Sequence, residues 1–67
     1  MLELDFIFGD FLENGYATLS GQQQDDFQQF LENADPDLYS WLMGFRQPEK
    51  ECDIVMVKLI RDLSGSL

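Results

Sequence analysis

An all-α fold, a small bundle of four short helices, is what this sequence predicts. Apolar residues recur at helical spacing in four successive segments, and Gly, Pro, Asn and Ser residues that favour turns and caps fall between them. The one β-rich run, Ile54-Val55-Met56-Val57, lies inside a helical periodicity that persists for about three turns, and a lone strand would have nothing to pair with.

The first helix is expected over residues 3–13. Leu4, Ile7, Phe8, Phe11 and Leu12 form its inward stripe, and Asn14-Gly15 closes it at a place suited to a left-handed residue. Leu2 and Phe6 fall outside that stripe and make a second, narrower one among Glu3, Asp10 and Glu13, either covered by another element or offered to a partner. The second helix, residues 21–33, opens on Ser20, with Gln23 completing a capping box. Phe27, Phe30, Leu31 and Ala34 point inward, and the glutamines with Asp25 and Asp26 face water. Asp35-Pro36-Asp37 restarts the chain: aspartate caps, proline suits the first turn, and a second acid suits the helix dipole. The third helix, residues 36–44, buries Leu38, Trp41, Leu42 and Phe45, with Gly44 near its stop. The fourth, residues 50–63, follows the loop Arg46-Gln47-Pro48 and turns Cys52, Val55, Met56, Leu59 and Leu63 to one side. Phe8, Phe11, Phe27, Phe30, Leu31, Leu38, Trp41, Leu42, Met56 and Leu59 are expected to pack together.

Composition narrows the function. Sixty-seven residues accommodate one small domain, residues 1–67, and 45% apolar content is an ordinary globular share. A chain this short has a thin stability margin. One cysteine forms no internal disulfide, and without histidine a lone thiol builds no structural zinc site. The free thiol points to a reducing, cytoplasmic-type compartment. A net charge of −9 argues against a nucleic-acid binder and a polybasic membrane anchor. No apolar run is long enough to span a bilayer, and no leader is expected. Residues 1–45 hold nine acids and no base, and residues 46–67 hold four of each. That acidic portion is either a solubilising surface or a face that steers toward a basic partner.

Catalytic constellations are missing. Histidine, the commonest acid–base group, is absent. Asp35 and Asp37 resemble the start of a calcium loop, but Tyr39 takes the next ligand position and Arg46 the last. Ser40 sits mid-helix between Tyr39 and Trp41, unlike the exposed helix-start serine of an acyl carrier. Cys52 reads as a small buried hydrophobe with no partner to activate it. Four short helices rarely enclose the concave pocket that carboxylate catalysis needs, so an enzyme is the weakest class.

Two stretches are more specific: MLELDFIFGDF at residues 1–11 and DPDLYSWLMG at residues 35–44. Together with LSGQQQDDFQQFLENAD between them, they resemble the succinate dehydrogenase assembly factor 2 family, the flavinylation factors also called SdhE, some of whose bacterial members are described as CptB-type antitoxins. The resemblance covers nearly the whole chain. It implies a bacterial, cytoplasmic, non-enzymatic assembly factor of all-α fold. Such a factor promotes covalent FAD attachment to the flavoprotein subunit of succinate dehydrogenase or fumarate reductase. FAD belongs to that client, and the attachment uses a histidine of the client. No cofactor is expected on this chain.

The family signature RGxxE, often followed by Leu-Asp, aligns with Glu3-Leu4-Asp5, with Met1 and Leu2 in its two free positions. The arginine and glycine would lie just before Met1, as would the short helix that usually precedes them. The chain is therefore expected to be the family bundle minus its first helix, recorded from an internal methionine; a divergent copy is the alternative. Glu3 alone carries over from the functional motif, and its ordinary reading is a first-turn acid favoured by the helix dipole. Partner contact is expected at Glu3, Asp5, Leu2 and Phe6, with the half-exposed pair Tyr39 and Met43 added from the third helix. The competing class is an acidic helical interaction module, antitoxin-like, without flavinylation activity.

Overall fold

The computed structural model describes residues 2–64, and among them every regular element is helical: α1 (Leu2–Asn14), α2 (Gly21–Phe30), α3 (Asp35–Leu42) and α4 (Glu51–Leu63). A short 3₁₀ turn, Tyr16–Thr18, joins α1 to α2 and has no counterpart in the sequence expectation. The β-rich run Ile54–Val57 is helical within α4.

Leu4, Ile7 and Phe11 direct α1 inward. They meet Phe27 and Phe30 of α2, Leu38 and Leu42 of α3, and Met56, Val57 and Ile60 of α4 in one core. Helix α1 packs against α3, α4 and the 3₁₀ turn, while α4 packs against all three other helices. Every residue of the expected core is in this cluster or packed against it, with Phe8, Leu31, Trp41 and Leu59 at its margin.

Local chemistry sets the boundaries. The Ser20 hydroxyl accepts from the Gln23 backbone N–H (3.2 Å), and the Gln23 side chain accepts from the Ser20 N–H (2.9 Å), the reciprocal capping box that opens α2. Helix α2 stops at Phe30, three residues short of expectation, where Asn33 Nδ2 donates to the Phe30 carbonyl at 2.8 Å and leaves Ala34 exposed. Ala34, not Asp35, is the N-cap of α3, with Pro36 in the first turn. Asp37 is in the first turn as expected and also pairs with Arg46. Helix α3 ends on Gly44 in the left-handed region (φ +82°), with Phe45 N–H donating to Ser40 O at 2.8 Å and Gly44 N–H to Trp41 O at 3.2 Å. This pair of bonds is a Schellman motif.

Further expectations are corrected. Gly15 has φ −129°, not a left-handed conformation; its smallness serves close packing, since a Cβ there would lie 3.0 Å from Leu63 Cβ and 3.3 Å from the Phe11 ring. Helix α4 is rotated by about 100°, one residue, from the expected face. Its buried set is Asp53, Met56, Val57, Ile60 and the following Ser64, while Cys52 and Val55 are exposed. The polar members of that face explain the shift, because Ser64 Oγ donates to Asp10 Oδ2 at 2.9 Å and locks the end of α4 onto α1. Phe45, beyond the Gly44 turn, leaves the helical register and is 70% exposed; Leu12, on the flank of α1, is 48% exposed.

The two α1-side glycines therefore differ. Gly15→Ala is expected to destabilise by about 1–3 kcal/mol through overpacking against Leu63 and Phe11. Gly9, mid-helix with nothing within 4 Å of an added Cβ, is expected to stabilise the free protein by about 0.5–1 kcal/mol when changed to Ala. Thermal unfolding of both variants checks the opposite signs.

Candidate functional site

The aromatic junction behind α1 determines which side of that helix meets solvent. Phe11, fully buried, lies 5.0 Å from the Phe27 ring and 6.5 Å from Tyr16, and Phe8 meets Phe27 edge-on at 5.9 Å. With these rings and Leu4 and Ile7 turned inward, residues about half a helical turn away are turned out. Leu2 is 82% exposed and Phe6 70% exposed, neighbours one turn apart. Gly9 continues their line without adding a side chain. Glu3 and Asp10 flank it on one side and Asp5 and Leu12 on the other. The face is a narrow apolar strip between carboxylates.

Glu3 and Asp5 are exposed in the first turn of α1, where acids suit the helix dipole and remain available to an incoming donor. Asp10 differs, because its carboxylate accepts from Asn14 Nδ2 at 2.8 Å and from Ser64 Oγ. It belongs to the closure of the bundle as much as to the surface.

Of the expected contact residues, Leu2, Glu3, Asp5 and Phe6 thus share the outer side of one helix. Tyr39 and Met43 belong to α3 and its C-terminal cap. Both are half-buried against the core, and Tyr39 meets the Phe45 ring edge-on at 6.1 Å. The exposed aromatic that sequence reasoning missed on this side is Phe45. The signal was present: a residue beyond a glycine stop is not placed by helical spacing.

The chemistry available to this face is that of binding. It is a convex helix surface, which buries too little of a small molecule to hold one. Among the described residues no group of three or more His, Cys, Asp or Glu is placed to hold a metal ion, and no helix is long and apolar enough to cross a membrane.

Because the strip makes no contribution to the core, Phe6→Ser is expected to change stability by less than about 0.5 kcal/mol. Phe11→Ala is expected to cost about 3–5 kcal/mol, enough to unfold a domain of this size. Chemical denaturation of the two variants distinguishes a presented face from a packed one.

Comparison with known proteins identifies the family of this small bundle. A family model described as "Flavinator of succinate dehydrogenase" matches residues 1–64. A protein of Legionella pneumophila (strain Lens) named FAD assembly factor SdhE is 42% identical over 62 residues, covering 92% of this chain and 77% of that protein. The Coxiella burnetii protein of the same name is 36% identical over 65 residues, covering 97% of this chain and 79% of its own length. The Vibrio cholerae serotype O1 protein of that name is 48% identical over 44 residues, covering 66% and 51% respectively. No solved structure matches the chain. A family match that runs from the first turn of α1 to the residue that locks α4 in place covers every helix of the bundle, and the chain belongs to the succinate dehydrogenase flavinator family.

Proposed function

We propose that this chain is a non-enzymatic assembly factor that promotes covalent attachment of FAD to the flavoprotein subunit of succinate dehydrogenase. Membership of the flavinator family supports the reading. The observation in the structure that carries it is the exposed strip on α1, with Glu3 standing beside Leu2 and Phe6. Covalent attachment to the client forms its bond on a side chain of the client itself. The chain's own part is to bind an attachment-competent conformation of the client better than the others and so raise its population.

In this reading Leu2 and Phe6 supply the apolar contact, and Glu3 and Asp5 supply directional acceptors for donors on the client. Tyr39 and Met43 form a secondary contact on α3. The flavoprotein subunit of fumarate reductase is a second client of the same chemistry. The site of action is the bacterial cytoplasm, and FAD stays with the client throughout.

The test is in-gel flavin fluorescence of the client subunit in cells that lack their own factor. The 67-residue chain is compared with a form extended by Arg-Gly and a preceding helix, each with and without Glu3→Ala. Flavin loading by the extended form is expected, with a clear loss on Glu3→Ala at nearly unchanged thermal stability, because a first-turn acid contributes only about 0.3–1 kcal/mol. Equal loading with and without Glu3 moves the site elsewhere. Loading by none of the four proteins leaves an interaction module without flavinylation activity.

A further inference from the structure

The positive charge of the molecule is gathered in one place. Of the four bases in the chain, Arg46, Lys58 and Arg61 line an open groove of about 540 Å³ between the α3–α4 connection and α4. Trp41, Phe45 and Ile54 give the groove an apolar lining. Its shape follows from Gly44. The left-handed turn there throws Phe45 outward, and the missing side chain admits the Arg61 guanidinium, whose Nη1 lies 3.0 Å from where a Cβ would stand.

Helix capping accounts for part of this arrangement. Arg46 and Arg61 lie near the C-terminal end of α3, where cations are favoured, and Arg46 pairs with Asp37. Lys58 is not explained in this way. It is exposed, and among the described residues neither it nor Arg61 forms an ion pair. Nor does capping require an aromatic ring at position 45 that is 70% exposed. Asp62 is the one acid in the lining and Asp37 offsets Arg46, so the positive charge that the groove keeps rests on Lys58 and Arg61 against Asp62. Residues 1–45 hold nine acids and no base, so an acidic ligand is repelled by the rest of the surface and attracted to this groove.

We propose that the groove docks an acidic segment of a partner polypeptide. One aromatic or aliphatic side chain of that segment rests among Trp41, Phe45 and Ile54, and flanking carboxylates meet Arg46, Lys58 and Arg61. Two features favour a peptide. The groove is open, so it buries too little of a compact small molecule, and its apolar lining gives an anchoring side chain somewhere to go between the charges. The arginines offer planar, bidentate recognition of carboxylates. This surface is separate from the α1 strip and does not depend on the flavinylation reading.

Trp41, the only tryptophan in the chain, lines the groove and reports its occupancy. The experiment titrates the full chain with a short blocked peptide of aspartates and glutamates around one phenylalanine, following Trp41 emission. Parallel titrations use a lysine-for-acid counterpart and inorganic pyrophosphate. A saturable change is expected with the acidic peptide alone. Its affinity is expected to weaken about tenfold between about 0.05 and 0.3 M salt, and by a similar factor in Lys58→Glu. Lys58→Glu leaves the core untouched, and an unchanged circular dichroism melt verifies that. No emission change, equal binding of the basic peptide, or unaltered affinity in folded Lys58→Glu overturns the proposal. Tighter saturation by pyrophosphate than by the acidic peptide also overturns it, by making the groove a phosphate site.

Discussion

The tilted contact of Phe11 with Phe27, with Phe8 and Tyr16 closing around them, is the contact on which the rest of the molecule depends. These four rings come from α1, the 3₁₀ turn and α2. A domain this small has few other ways to hold three elements together without a disulfide or a metal. Each well-placed aromatic pair adds about 0.5–1.5 kcal/mol beyond the area it buries. More consequentially, Phe11 fixes the rotation of α1. Once its ring is fully buried, the direction of every other side chain on that helix follows from helical geometry. The outward position of Leu2, Glu3 and Phe6 is a consequence of a contact at the other end of the helix.

The same corner also closes the bundle. Gly15 leaves room for Leu63 against the end of α1, and one residue later Ser64 donates to Asp10. These contacts join the two ends of the described chain. They also turn α4 so that Val57 and Ile60 enter the core, and that rotation places Lys58 and Arg61 beside the loop that carries Phe45 and Arg46. The strip on α1 is thus set by packing around the aromatic junction, and the basic groove by the rotation of α4 together with the Gly44 turn. Their opposite charge gives the two proposed contacts different chemistries.

How much of this was legible in the sequence depended on whether the signal was local. The four helices, the Ser20–Gln23 capping box and the orientation of α1 were readable, because Leu4, Ile7 and Phe11 repeat with a clean helical period and the cap pattern spans three residues. The second stripe at Leu2 and Phe6 was readable for the same reason, but its exposure was not, because a covered stripe and an open one have the same spacing. The rotation of α4 was not, because counting apolar residues alone ignores that Asp53 and Ser64 are on the buried face. Ser64 reaches Asp10 across fifty-four positions, a pairing that no local window contains. Gly15 announced a turn but not a close approach, since its constraint comes from Leu63. The basic groove was only half legible. The charge asymmetry was visible, but its assembly from a loop and a helix face required the Gly44 turn to be seen in three dimensions.

The central claim is that α1 is held by its aromatic inner face in order to present its outer face to a flavoprotein subunit. Backbone amide hydrogen exchange of the chain, free and mixed with the isolated succinate dehydrogenase flavoprotein subunit, tests it most directly. The account predicts added protection across α1, centred on its first two turns, with the exposed glutamine side of α2 unchanged. Added protection confined to α2, with α1 exchanging as in the free protein, would contradict it.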